Sequence, residues 1–142
     1  MEKVEYQAKS LADLDLVAAK LVAKFRPGGV IGLSGPLGAG KTALVKAIAR
    51  QLGIKDQVIS PTYLYHQVYE APELRVHHLD LYRIKSMGDF EALDIPLDDD
   101  RGFFLIEWIE NVPELLPIAD FCLRFKLSGE TRIIEEVLCK DL

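Results

Sequence analysis

Long apolar runs, cysteine motifs and paired basic residues are all missing from this 142-residue chain. No apolar stretch exceeds the four residues of Phe103-Phe104-Leu105-Ile106, whereas a membrane helix takes about 20. The start, Met1-Glu2-Lys3-Val4-Glu5, has neither the basic nor the apolar segment of a secretory leader, so a cytoplasmic protein is expected. The 2 cysteines, Cys122 and Cys139, show no CxxC or Cys/His ligand spacing. They read as small reduced core residues rather than a disulfide or a metal site. No two Lys or Arg are adjacent, and 17 basic residues face 22 acidic ones, for a net charge of −5. Phosphate backbones are held by clustered basic footprints, so strong direct nucleic-acid binding is not expected.

What is present is an ordinary globular composition, 49% hydrophobic and 27% charged. No repeat, low-complexity tract or linker divides it, so residues 1–142 are expected to form a single domain. Val4 to Ala8 reads as a first strand. Ser10 then offers an N-cap, with Asp13 three residues on, and Leu11, Leu14, Val17, Ala18, Leu21 and Phe25 follow at helical spacing. Pro27-Gly28-Gly29 ends that helix. Val30 to Ser34 reads as a strand buried on both faces, followed by a glycine-rich loop and a helix from Lys41 to about Leu52, closed by Gly53.

In the second half, Tyr63 to Tyr69 alternates so that Tyr63, Tyr65 and Tyr69 share one face of a strand. Arg75 to Leu81 and Phe103 to Glu107 are further strands, with a short helical stretch around Asp89 to Leu93 between them. Asp120 to Leu127 and Arg132 to Cys139 form a hairpin across Ser128-Gly129-Glu130-Thr131. This order predicts an α/β fold with a mixed, largely parallel central sheet, flanking helices and a C-terminal antiparallel hairpin. The loop Gly35-Pro36-Leu37-Gly38-Ala39-Gly40-Lys41-Thr42 between strand and helix makes it one of P-loop NTPase type.

The chemistry concentrates in Gly35-Pro36-Leu37-Gly38-Ala39-Gly40-Lys41-Thr42, a match to G-x-x-x-x-G-K-[ST] between a buried strand and a helix. Gly35 and Gly40 let the loop turn around a phosphate with its amides inward, and the helix N-terminus adds partial positive charge. Lys41 supplies a mobile full charge, and the Thr42 hydroxyl is a ligand for Mg²⁺. A strand-end acid is needed at the metal. Glu107 follows four apolar residues, and Asp80 follows the less apolar Val76-His77-His78-Leu79. Spacing alone does not choose between them, though the Glu107 strand has the better pattern.

Ser60-Pro61-Thr62-Tyr63 stands where a switch segment would, with Thr62 able to sense a γ-phosphate through the metal. Asp98-Asp99-Asp100 lacks calcium-loop spacing and reads as a solvated turn. His77 and His78 point to opposite faces of a strand and make a poor metal pair. No guanine-reading motif occurs, which favours ATP over GTP.

Together these elements resemble the TsaE (YjeE) family, P-loop ATPases of bacterial tRNA threonylcarbamoyladenosine biosynthesis. The resemblance rests on the loop at 35–42, Ser-Pro-Thr-Tyr at 60–63, His-Leu-Asp-Leu-Tyr-Arg at 78–83 and Glu-Trp at 107–108. It implies a Mg²⁺-dependent ATP hydrolase, slow by itself, needed to modify the adenosine beside the anticodon of ANN-decoding tRNAs. It also implies partners, two transferase subunits of the TsaB and TsaD type. By the same resemblance Lys41 holds phosphate with the amides from Gly35 to Gly40, Leu37, Gly38 and Ala39 among them, and Thr42 ligates the metal. Asp80 and Glu107 both serve at the metal and the attacking water. Trp108 lies beside the site, Arg83 closes its motif, and Leu11 and Arg132 meet the nucleotide. Asp94 and Ile109-Glu110-Asn111 depart from the family pattern. A small-molecule kinase and a nucleotide-gated binding module without turnover are the competing readings.

Overall fold

The structure, a computed structural model, describes residues 4–25, 29–54 and 65–142. Its strands are β1 (Glu5–Ala8), β2 (Val30–Ser34), β3 (His66–Glu70), β4 (Arg75–Asp80), β5 (Gly102–Glu107), β6 (Phe121–Ser128) and β7 (Thr131–Val137). Its α-helices are α1 (Leu11–Phe25), α2 (Lys41–Gln51) and α3 (Met87–Glu91). One seven-stranded sheet runs β1-β7-β6-β2-β5-β4-β3. The pairings β6–β2, β2–β5 and β5–β4 are parallel, and the outer pairings β1–β7, β7–β6 and β4–β3 are antiparallel. This is the mixed sheet with a parallel centre and closing hairpin that the residue patterns predict.

Local chemistry accounts for the element ends. Ser10 Oγ accepts the Asp13 N–H at 3.1 Å, and the Asp13 carboxylate accepts the Lys9 N–H at 2.8 Å, so two unpaired donors at the start of α1 are satisfied. At the end of α2, the Gly53 and Ile54 N–H groups return to the Arg50 and Ala49 carbonyls, a Schellman closure. The hairpin turns over Gly129-Glu130, with Ser128 opposite Thr131.

The sheet carries an apolar layer on each face. Phe103 and Leu105 of β5 face α1 and α2 with Leu14, Leu21, Leu44 and Ile48. Phe104 and Ile106 face the other way, against Phe90 of α3 and the 3-10 turns Ile109–Asn111 and Pro113–Ile118. Strict alternation along an uninterrupted apolar strand therefore fills both layers.

Three expectations need correction. Cys122 and Cys139 are joined as a disulfide, with Cα atoms 5.2 Å apart. The hairpin register sets Cys122 opposite Val137, and the 3-10 turn Cys139–Asp141 folds the second cysteine back over the first, a proximity that cysteine spacing does not encode. Tyr65 is not on the face of Tyr69: it packs in the layer of Phe104, and Tyr69 lies in the layer of α1 and α2. The reason is its φ of 52°, which breaks the pleat just before β3. Tyr63 lies outside the described residues, as does Pro27-Gly28. Asp99 is not merely solvated, since its carboxylate accepts from His77 Nε2 at 2.8 Å and Arg75 at 2.9 Å.

Candidate functional site

The site gathers where the parallel strands end. Strand β2 leads into the loop at 35–42, and its neighbour β5 ends level with it, Leu33 pairing with Glu107. On the far side of β5, Asp80 is the register partner of Glu107. Two acids far apart in sequence thus finish adjacent strands beside the start of α2.

The loop is shaped by close approaches. Gly35 has φ 145°, and a Cβ there would lie 2.7 Å from the Phe125 carbonyl oxygen. Gly40 has φ 102°, and a Cβ would meet Arg132 Cδ at 2.8 Å and Nε at 3.0 Å. Only glycine fits either place. The same contact sets the Arg132 side chain, carried on β7, against the loop. Among the described residues no side chain caps α2 at Gly40, so the first-turn N–H groups are open to an anion. Ala39 is buried, Leu37 stands out at the tip, and Gly38 borders open space.

Lys41 is buried, an unusual state for this residue type. Its Nζ donates to the Gly35 carbonyl and lies 3.9 Å from the centre of the Trp108 ring. Trp108 has φ 60° at the end of β5, and its ring also tilts against Tyr82 at 5.0 Å. Burial holds the Lys41 ammonium below its ordinary pKa, opposed by the charges of Glu107, Glu110 and Asp80.

Thr42 Oγ1 donates to Glu107 Oε2 at 2.9 Å, and His78 Nε2 meets the same oxygen at 2.5 Å. Asp80 is pushed above the ordinary carboxylate range, chiefly by burial and also by Glu107, while the Tyr82 N–H at 2.9 Å pulls the other way. A hydroxyl and two carboxylates are hard oxygen donors of the kind Mg²⁺ takes, and a cation between them would relieve the strained Asp80 charge. Among the described residues no three acidic, His or Cys side chains converge into a ready-made cage. Such a set suits Mg²⁺, which completes its shell with water and substrate phosphate.

Lys41, Thr42, Asp80, Glu107, Trp108 and Arg132 are therefore brought to one place. Leu11 begins α1 just after Ala8, whose register partner is Arg132, and is exposed. Arg83 is exposed beyond Asp80. Ser60 and Thr62 lie outside the described residues. Two groups escaped the sequence reading. His78 stands in the matched motif, where strand alternation alone puts it on the face of Asp80. Glu110 accepts from the Ser34 hydroxyl, keeps Oε1 buried with no partner among the described residues, and adds its charge to the field at Lys41.

Residues 8–134 match the family model for "Threonylcarbamoyl adenosine biosynthesis protein TsaE". The tRNA threonylcarbamoyladenosine biosynthesis protein TsaE of Treponema pallidum is 37% identical over 138 residues, 94% of this chain and 98% of that protein. Its namesake in Bacillus subtilis is 38% identical over 116 residues, 79% of this chain and 71% of that one. The crystal structure of Bacillus subtilis YdiB superposes with a TM-score of 0.75 at 26% identity, covering 95% of this chain and 84% of that one.

Proposed function

Because this chain belongs to the TsaE family of threonylcarbamoyl adenosine biosynthesis proteins, we propose that it is a Mg²⁺-dependent ATP hydrolase serving that tRNA modification. Its target is the adenosine next to the anticodon of ANN-decoding tRNAs. It acts by nucleotide-dependent binding to transferase subunits of the TsaB and TsaD type, which hold the tRNA. The observation that carries this reading is the Thr42–Glu107 hydrogen bond at 2.9 Å beside Lys41, with Asp80 in register.

The loop amides and the start of α2 receive the β and γ phosphates, and Lys41 leaves the Gly35 carbonyl to neutralise them. Thr42, Glu107 and Asp80 would hold Mg²⁺, directly or through water. When bound, that ion withdraws charge from the phosphate oxygens. One of the two carboxylates orients the attacking water, and Glu107 is the stronger metal contact because it also receives the Thr42 hydroxyl. Arg132 and Leu11 flank the nucleotide, while Ser60 and Thr62 act as the switch that partners read.

The test is phosphate release from Mg-ATP by the purified protein, with and without the two transferase subunits. Slow hydrolysis that rises with the subunits is expected. Transfer of phosphate to a small acceptor instead of water, or no turnover in either condition, overturns the reading.

A further inference from the structure

We infer that His78 is the positioning residue of Glu107, a role resting on the reading of Glu107 as an acid of the metal site. His78 lies on β4 with its side chain fully excluded from solvent. It cannot touch a substrate, so any part it plays runs through a neighbour. Its register partner on β5 is Leu105, which makes Glu107 the diagonal neighbour two residues on.

The contact is specific at both ends. Nε2 donates to Glu107 Oε2 at 2.5 Å, and a carboxylate can only accept, so Nε2 carries the proton. The same Oε2 receives the Thr42 hydroxyl at 2.9 Å. Two donors from different elements, β4 and α2, thereby hold one oxygen, and Oε1 would be the oxygen offered to a metal or its water. A glutamate has three rotatable bonds, and a single hydrogen bond from Thr42 leaves the carboxylate free to turn about it. The second bond, from a ring locked in the sheet, removes that freedom.

The other ring nitrogen shows that packing does not explain the residue. Nδ1 is buried with no partner among the described residues. A buried polar atom without a partner is unfavourable, and a leucine would fill the space without that penalty. His77, one residue earlier, uses both ring nitrogens, toward Asp99 and His66. Among the described residues the His78 side chain makes one hydrogen bond, and it goes to Glu107.

Two substitutions separate a positioning role from a structural one. His78→Leu fills the space without a donor, and His78→Gln returns an N–H near the place of Nε2. His78→Leu should lower kcat by about 10–100-fold, the usual loss on removing an outer partner of a metal-site acid, and weaken Mg-ATP binding with it, the same double signature as loss of Glu107 itself. His78→Gln should recover most of that loss. In a Glu107→Ala background His78→Leu should have no further effect on kcat, because the group it positions is gone.

An independent readout uses the protein without nucleotide or metal. Nitrogen–proton correlation of the His78 ring should show the proton on Nε2, with a shift that moves on Glu107→Ala. This measurement stands even if the wild-type protein proves not to hydrolyse ATP, so failure of the enzymatic reading is told apart from failure of this one. The inference is overturned by a proton on Nδ1, by ring signals indifferent to Glu107→Ala, by wild-type kcat in His78→Leu, or by losses that multiply in the double variant. If His78→Leu does not fold, His78→Gln and the ring spectrum still decide.

Discussion

Lys41 is the side chain on which the chemistry of the site turns, because a buried ammonium with a carbonyl and an indole face for company is held ready for a stronger counter-charge. Its surroundings favour exchange of the Gly35 carbonyl for phosphate oxygens, which carry full charge. Lys41→Ala and Thr42→Ala should each lower ATP hydrolysis by about 10²–10³-fold, the scale of removing one preorganised electrostatic group. Phosphate release by the purified variants checks this, and wild-type turnover in Lys41→Ala would remove the phosphate-binding assignment. The two acids should fail differently. Loss of a metal ligand weakens Mg-ATP binding and turnover together, whereas loss of a water-orienting group mainly lowers turnover. Since Glu107 is the acid bonded to Thr42, Glu107→Ala should show the larger loss of Mg-ATP affinity by titration calorimetry. Tight binding by Glu107→Ala alongside weak binding by Asp80→Ala would exchange their roles.

At the scale of elements, the outer strands are pinned by a polar cluster that the residue pattern does not announce. Asp99, in the loop before β5, accepts from His77 and Arg75 of β4, and His77 stacks on Phe104 at 4.3 Å. The His77 hydrogen bond, with Arg75 assisting, holds the Asp99 carboxyl down to about 2, against an ordinary 3.8. A folded-state pKa below the unfolded value means that the ionised form favours folding. Its contribution is therefore complete above about 4 and is lost as pH falls toward about 2. Asp99→Asn should unfold at lower urea than wild type at neutral pH, with the difference shrinking through that acid window. Urea midpoints against pH for the two proteins measure it, and parallel curves would show that Asp99 does not anchor β4.

For the whole molecule, a net charge of −5 without adjacent basic residues accords with the proposal that other subunits hold the tRNA, and in that proposal hydrolysis acts through shape. A nucleotide shifts such an equilibrium only by its differential affinity for two states. Complexes with the TsaB- and TsaD-type subunits should accordingly differ in affinity between an ATP analogue and ADP. Sedimentation with both nucleotides measures this. Equal affinities, or no complex, would exclude nucleotide-dependent assembly and favour an enzyme acting alone. Among the described residues no helix is long and apolar enough to cross a membrane, in keeping with the absence of long apolar runs in the sequence.

Periodicity and local chemistry were enough to read the strands β2, β4 and β5, the two long helices, the closing hairpin and the phosphate loop. Each is specified by neighbours within a few residues: the Ser10–Asp13 cap, the apolar run before Glu107, and the glycines whose positive φ turns the loop. What the chain could not disclose by itself is everything that depends on register between distant strands. The levelling of Asp80 with Glu107, the ring of His78 beneath that carboxylate, Arg132 over Gly40 and the Cys122–Cys139 bridge are all of this kind. Two parallel strands show the same alternation whichever residues lie side by side. Their pairing is decided only when both apolar layers of the sheet are filled at once.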